Sequence, residues 1–175
     1  YRRQRQMCIR DRALAGLAAR TDAVDETTYW SYSAYSSQVE EAELHRTWLA
    51  GEPVVAPSPV TQAYTNFLLA SVFVDDYVVG AAAVLPCYWL YAQTGAQIPR
   101  IPDEHPYAAW LHTYHDDEFV QATAQTLAIV ERAFALAAPQ ARSRAARAYL
   151  TACRHEMEFF DQALRVDPDD PGCDE

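Results

Sequence analysis

The chain contains no lysine, since all fourteen of its basic residues are arginine. We interpret this as a bias of genomic composition. With 24 acidic residues the formal net charge is −10, which disfavours nucleic acid and anionic membrane surfaces as partners. Apolar runs long enough to span a membrane are also missing, because even the segment Ala81–Leu90 is bounded by Asp75, Asp76 and Gln93.

Cysteine and glycine are scarce as well. The four cysteines, at positions 8, 87, 153 and 173, form no CxxC pair, which indicates a reducing cytoplasm with Cys87 and Cys153 as free thiols. Five glycines against many alanines and leucines favour helix over sheet, and no glycine-rich phosphate loop occurs. Half of the 175 residues are hydrophobic, which excludes a disordered chain and supports one domain with its own core.

The two ends of the chain differ from the rest. The opening YRRQRQMCIRDR holds five of the fourteen arginines and lacks apolar periodicity. We interpret residues 1–12 as a non-native leader, such as a translated sequencing adapter, and the alternative is a basic targeting or binding arm. A non-native leader would mean that the gene begins upstream of Ala13 and that the chain is a fragment. The acidic residues 167–175 are predicted to be a disordered tail.

Between these ends, helical periodicity dominates, without a strand pattern or an internal repeat. Ser58 is expected to cap a helix that begins at Pro59. The predicted helices cover residues 13–20, 29–50, 59–70, 75–95, 105–113, 116–138 and 141–165. The stretch 21–28, with two aspartates and a glutamate, is predicted to be a loop. Together these elements predict an all-α bundle.

The most distinctive stretch, AAAVLPCYWLYAQTG, lies in the fourth of these helices. Cys87 and Tyr91 are four residues apart and therefore share one face of the helix. Pro86 is expected to kink the helix just before the cysteine. A kinked, buried helix that carries a thiol is a candidate reaction site. The alternative is a core helix with a small buried cysteine.

Other residues with useful chemistry lie on predicted buried faces. Glu156 stands among Cys153 and Phe159, where an unpaired carboxylate is costly, so it either lines a polar cavity or points to solvent. Tyr64 and Tyr114 either line a cavity or pack in the core with bonded hydroxyls. The paired Glu-x-x-His motifs of di-metal bundles are absent from the sequence, so we expect neither a metal nor a cofactor.

Four segments resemble the TenA/thiaminase II family in order and spacing: PSPVTQAYTNFLLA, AAVLPCYWLYAQTG, HPYAAWLHTY followed by DDEF, and HEMEFFDQAL. The likeness covers about residues 13–166, and LPCYWLY is its most specific part. It implies a haem-oxygenase-like helical bundle, here without the family's first helices, and a homotetramer when full length. The implied activity is hydrolysis of 4-amino-5-aminomethyl-2-methylpyrimidine to the hydroxymethyl compound, and cleavage of thiamin, in the cytoplasm.

The resemblance also implies roles for individual residues. Cys87 matches the family's nucleophile and Glu156 its acid/base glutamate. The tyrosines that line and orient the pyrimidine are matched by Tyr64, Tyr91 and Tyr114. The family's first helices normally supply an aspartate that holds the pyrimidine amino group and assists the cysteine. Residues 1–12 contain no match to it, so the fragment alone is expected to lack one wall of the pocket.

Three other functions compete with this one. A cofactor-handling enzyme akin to the quinone-biosynthesis oxidases would rely on basic and histidine residues, against which the acidic balance and Cys87 argue. The ligand domain of a transcriptional regulator would need a DNA-binding unit, for which the leader is too short. A non-catalytic helical protein that binds a pyrimidine-like ligand remains the alternative to the hydrolase.

Overall fold

The computed structural model describes residues 9–48, 57–99, 101–105 and 108–165, and helices make up most of this part of the chain. None of these residues forms a strand, so the predicted all-α class is confirmed. Among them, no helix combines the length and the apolar character needed to cross a membrane. The α-helices are α1 (Ile9–Ala18), α2 (Val24–Trp48), α3 (Pro59–Phe73), α4 (Tyr77–Val84), α5 (Pro86–Gln97), α6 (Ala108–His112), α7 (Asp117–Leu136) and α8 (Pro139–Leu164).

The first two helices begin earlier than the sequence predicts. Helix α1 starts at Ile9, so residues 9–12 of the predicted leader are helical, while the origin of residues 1–12 stays a prediction. Helix α2 starts at Val24, inside the predicted acidic loop, and places Asp25 and Glu26 in its first turn. Carboxylates in a first turn are stabilised by the helix dipole, which explains why acidic residues open this helix. The loop that three prolines predict at 51–59 lies outside the described residues up to position 56, and the tail at 167–175 lies outside them entirely.

Helix α3 begins as predicted. The Ser58 hydroxyl oxygen accepts a hydrogen bond from the Thr61 backbone N–H at 3.2 Å, and Pro59 occupies the first helical position. The helix continues to Phe73 rather than ending at Ala70. Since Tyr64 lies on its buried face, α3 presents a phenol to the interior of the bundle.

The predicted central helix is divided in two. Helix α4 ends at Val84, and Pro86 occupies the first position of α5, because proline has no N–H with which to continue the hydrogen-bond ladder. Every α4 residue from Val78 to Val84 is buried, and α4 contacts α1, α3, α7 and α8. The break therefore places Cys87 in the first turn of a new helix beside the core.

Gly95 does not end the helix that contains it. Helix α5 continues to Gln97, and a Cβ atom at position 95 would lie 2.5 Å from Cβ of Tyr114. Glycine is therefore required for the close approach of α5 to the short 3₁₀ turn Thr113–His115. The sequence pattern suggested a terminating glycine, whereas the structure uses it for packing.

The last helices follow the predicted order with shifted ends. Helix α6 covers only Ala108–His112, within the predicted 105–113. Asp116 precedes α7 as its N-cap residue. Pro139 opens α8 at its first position, where proline is well tolerated, and thereby separates it from α7. Helix α8 packs against α3, α4 and α5, so it faces the two helices that carry Tyr64 and Cys87.

Candidate active site

Three helices contribute pairs of residues one turn apart to a common cavity. The pairs are Tyr64 and Leu68 on α3, Cys87 and Tyr91 on α5, and Glu156 and Phe159 on α8. Each pair has the three- or four-residue spacing that places side chains on one helix face. The cavity has a volume of about 40 Å³, which is enough for water, and is lined by Arg10, Tyr64, Leu68, Cys87, Tyr91, Glu156 and Phe159.

The Tyr64 hydroxyl lies between the thiol and the carboxylate. It donates a hydrogen bond to Glu156 Oε1 at 2.8 Å and lies 3.1 Å from Cys87 Sγ. A phenol has one proton to donate, so with that proton on Glu156 the Cys87 thiol is the donor in its contact with Tyr64. The result is a directed line of hydrogen bonds that runs from Cys87 through Tyr64 to Glu156.

The second oxygen of Glu156 has its own partner. The Tyr91 hydroxyl donates to Glu156 Oε2 at 3.4 Å. Glu156 is only 3 % exposed, so its carboxylate depends on these phenols in place of water. Of the two readings of Glu156 left open by the sequence, the structure shows the one in which it lines a cavity.

Burial governs the protonation of the three central groups. It raises the pKa of Glu156 above its ordinary value, and the hydrogen bonds from Tyr64 and Tyr91 partly oppose that rise. Burial, followed by the nearby Glu156 charge, raises the pKa of Cys87 well above that of a free thiol. Burial also raises the pKa of Tyr64. The cysteine is therefore a protonated thiol at neutral pH until its proton is transferred.

Tyr114 reaches the site through Tyr91. The two rings pack with centroids 5.7 Å apart, and the Tyr114 ring meets Phe119 edge-on at 5.5 Å. Tyr114 belongs to the 3₁₀ turn that closes against Gly95. The structure thus brings Tyr64, Cys87, Tyr91 and Glu156 together at the cavity and places Tyr114 behind Tyr91.

Three lining residues were not among the site residues that the sequence predicts. Leu68 follows Tyr64 by four residues and Phe159 follows Glu156 by three, so helical spacing alone could have indicated both. Arg10 lies in the predicted leader and was excluded with it. Its guanidinium stands 5.4 Å over the Tyr88 ring, and its Nε donates to Ser37 Oγ at 3.2 Å.

Cys87 and Cys153 are both free thiols, as the cysteine pattern predicts. Cys87 is buried at the cavity, whereas Cys153 is half-buried on α8. The two thiols therefore offer a matched pair in which only Cys87 lies at the site.

The family model described as the TENA/THI-4/PQQC family matches residues 50–166. The chain belongs to this family. The resemblance seen in the four sequence segments is thereby confirmed.

Two curated proteins are similar in sequence to this TenA-family chain. One is the thiamine biosynthesis multifunctional protein ThiED of Corynebacterium glutamicum, 49% identical over 155 residues, which are 88% of this chain and 20% of the relative. The other is the aminopyrimidine aminohydrolase of Bacillus subtilis, 28% identical over 110 residues, which are 62% of this chain and 47% of the relative. The chain thus spans about a fifth to about half of the length of these relatives.

A solved structure shares the fold of this TenA-family chain. The TenA homologue protein of P. horikoshii OT3 superposes with a TM-score of 0.78 at 21% identity, covering 92% of this chain and 78% of that one. The predicted haem-oxygenase-like helical bundle is confirmed by this match.

Proposed function

We propose that this chain carries the reaction centre of an aminopyrimidine aminohydrolase of the thiaminase II type. Its substrates would be 4-amino-5-aminomethyl-2-methylpyrimidine and thiamin, and its product the hydroxymethylpyrimidine of thiamin salvage. The observation that carries the proposal is the buried line from thiol to phenol to carboxylate on one cavity. Similarity to the Bacillus aminopyrimidine aminohydrolase supports the same chemistry, and similarity to the Corynebacterium thiamine biosynthesis protein supports a role in thiamin metabolism.

The first step of the proposed reaction moves protons along this line. The Cys87 thiol proton passes to the Tyr64 oxygen while the Tyr64 proton passes to Glu156, which leaves a thiolate and a neutral carboxylic acid. A pyrimidine ring bearing an amino group accepts a nucleophile only when a ring nitrogen is protonated. Glu156 is suited to donate that proton, because burial raises its pKa above the ordinary value of a carboxyl group.

The second step is covalent. The Cys87 thiolate adds to a ring carbon as the ring nitrogen takes the proton from Glu156. The ring electrons then expel the exocyclic ammonium group, the protonated form of the amine, as ammonia, or the thiazolium of thiamin as neutral thiazole. Water adds to the exocyclic methylene that results and loses a proton to Glu156. The ring electrons finally expel Cys87 as thiolate, and the ring nitrogen releases its proton to water, which restores the neutral aromatic ring.

Two phenols orient the acid in this reaction. Tyr64 and Tyr91 hold the two Glu156 oxygens, so the carboxyl is oriented before substrate arrives. Leu68 and Phe159 supply apolar surface for a flat ring. The cavity therefore combines a nucleophile, an acid and apolar surface, and from its volume of about 40 Å³ it has to widen to admit an aminopyrimidine.

The decisive variant is Cys87→Ser, with Cys153→Ser as its matched control. We expect Cys87→Ser to lose nearly all ammonia release while it still binds the aminopyrimidine in calorimetry, and Cys153→Ser to keep the parental rate. Parental rates in Cys87→Ser would show that Cys87 is not the nucleophile. Binding without ammonia release in the full-length protein would favour the non-catalytic binding function instead.

We further propose a cytoplasmic homotetramer. Leu150, Met157 and Leu164 repeat at seven-residue intervals along α8 and are 56%, 66% and 86% exposed. An apolar stripe with this repeat favours packing against another helix, which supports association of copies of the protein. Light scattering should report a tetrameric mass for the full-length protein, and a monomeric mass would contradict the assembly.

A further inference from the structure

We propose that His155 is a positioning residue, which holds Tyr64 in the orientation where its hydroxyl joins Cys87 to Glu156. His155 directly precedes Glu156 on α8, and neighbouring residues of a helix point about 100° apart. Its imidazole therefore points away from the Glu156 carboxylate and lies against α3. There it stacks on the Tyr64 ring, with centroids 5.2 Å apart and planes inclined by 15°.

The Tyr64 ring needs a side chain packed flat against its face to limit its tilt. The two hydrogen bonds of its hydroxyl fix the position of one oxygen atom but leave the ring free to tilt about it. That oxygen must stay 2.8 Å from Glu156 Oε1 and 3.1 Å from Cys87 Sγ at the same time, so a modest swing of the ring breaks one contact. A planar side chain stacked on the ring face restricts that tilt.

A second aromatic residue of α3 supports His155. Phe67 follows Tyr64 by three residues, and its ring centroid lies 5.2 Å from that of His155 with an inclination of 40°. Residues three apart lie on one helix face, so His155 packs against an aromatic pair. The contact also joins α8 to α3, the two helices whose side chains form the Tyr64–Glu156 hydrogen bond.

Aromatic packing, rather than a hydrogen bond from Nδ1, holds this imidazole. Within the described residues the buried Nδ1 atom of His155 has no hydrogen-bond partner. The Glu158 carboxylate lies 3.7 Å from it, beyond hydrogen-bond distance, and is largely exposed. Phenylalanine at position 155 would therefore preserve the flat contact and sacrifice no hydrogen bond at this nitrogen.

Three variants test the proposal. His155→Phe keeps a flat ring, His155→Leu supplies apolar bulk without one, and Glu158→Gln removes the nearby carboxylate charge. Crystal structures give the first readout: Tyr64 should keep both contacts in His155→Phe and Glu158→Gln and lose at least one in His155→Leu. Should His155→Leu fail to fold, His155→Met provides a second side chain without a flat ring.

Kinetics give a second readout, and this one rests on the proposed function. In ammonia release from the aminopyrimidine, we expect His155→Leu to lower kcat about tenfold with KM changed by less than about twofold, which corresponds to one lost hydrogen bond. His155→Phe and Glu158→Gln should stay within about twofold of the parent in kcat.

The two readouts separate failure of this proposal from failure of the proposed function. A full-length protein without ammonia release overturns the proposed function, and the crystal distances then still decide the role of His155. Both contacts intact in His155→Leu would overturn the positioning role. Equal loss of kcat in His155→Phe and His155→Leu would also overturn it, since the nitrogen and not the flat ring would then matter.

Discussion

Replacing Tyr64 with phenylalanine removes a hydroxyl that contacts both Cys87 and Glu156 while it leaves the ring in place. The carboxylate, which is 3 % exposed, loses a donor at 2.8 Å, and the thiol loses its acceptor at 3.1 Å. A hydrogen bond to a charged group contributes about 1.5–3 kcal/mol, so we expect the free energy of unfolding to fall by about 2 kcal/mol. With a urea m-value of about 2 kcal/mol/M, the unfolding midpoint should fall by about 1 M.

The loss of unfolding free energy in Tyr64→Phe should depend on pH. Burial raises the pKa of Glu156 above its ordinary value of 4.5, so the folded protein binds this proton more tightly than the unfolded chain does. The stability that this proton provides is fully present below the unfolded pKa and is lost as pH rises through the folded pKa. Because the Tyr64 hydrogen bond lowers the pKa of Glu156, its removal raises that pKa further. The gap between parent and Tyr64→Phe should therefore widen as pH rises above the ordinary carboxyl pKa of 4.5.

Tyr32→Phe is the matched control for this experiment. Tyr32 also donates to a glutamate, with its hydroxyl 3.3 Å from Glu118 Oε1, but it is 57% exposed. We expect urea titrations of Tyr32→Phe to stay within about 0.5 kcal/mol of the parent at every pH. If Tyr64→Phe behaved like Tyr32→Phe, the bridge between thiol and carboxylate would contribute nothing to stability, and the site geometry would need revision.

Two further substitutions test the elements that position the site. Gly95→Ala places a methyl group 2.5 Å from Cβ of Tyr114 and should lower stability by about 1–3 kcal/mol in thermal unfolding; an unchanged Tm would show that the 3₁₀ turn moves aside easily. Ser58→Ala removes the cap that accepts the Thr61 N–H and should lower stability by about 1 kcal/mol, whereas Ser58→Asn should retain most of it in the same urea assay.

Helical spacing predicted which residues share a face, but not which faces meet. Cys87 and Tyr91 lie together because four residues make one turn of helix. Tyr64 and Glu156, by contrast, are 92 residues apart, and only the packing of α8 against α3 joins them. The resemblance to the TenA family supplied that pairing, whereas periodicity alone left Glu156 equally consistent with a solvent-exposed position.

Other differences between prediction and structure come from tertiary contacts. The acidic stretch before Tyr29 resembled a loop, yet Glu26 is buried in α2, where it accepts hydrogen bonds from Tyr77 at 2.6 Å and Arg132 at 3.1 Å. A sequence read locally cannot reveal partners 51 and 106 residues away. The interpretation of Gly95 as a helix end was wrong for the same reason, because the glycine is required by Tyr114.

The break before Pro86 makes Leu85 the pivot about which α5 would tilt. Cys87 lies two residues from that pivot and Tyr91 six, which correspond to about 3 Å and about 9 Å along the helix axis. A tilt of α5 by about 10° about Leu85 therefore shifts the backbone at Tyr91 by about 1.6 Å but that at Cys87 by only about 0.5 Å. A tilt of this size would thus leave the Cys87 sulfur nearly stationary against the buried helix α4.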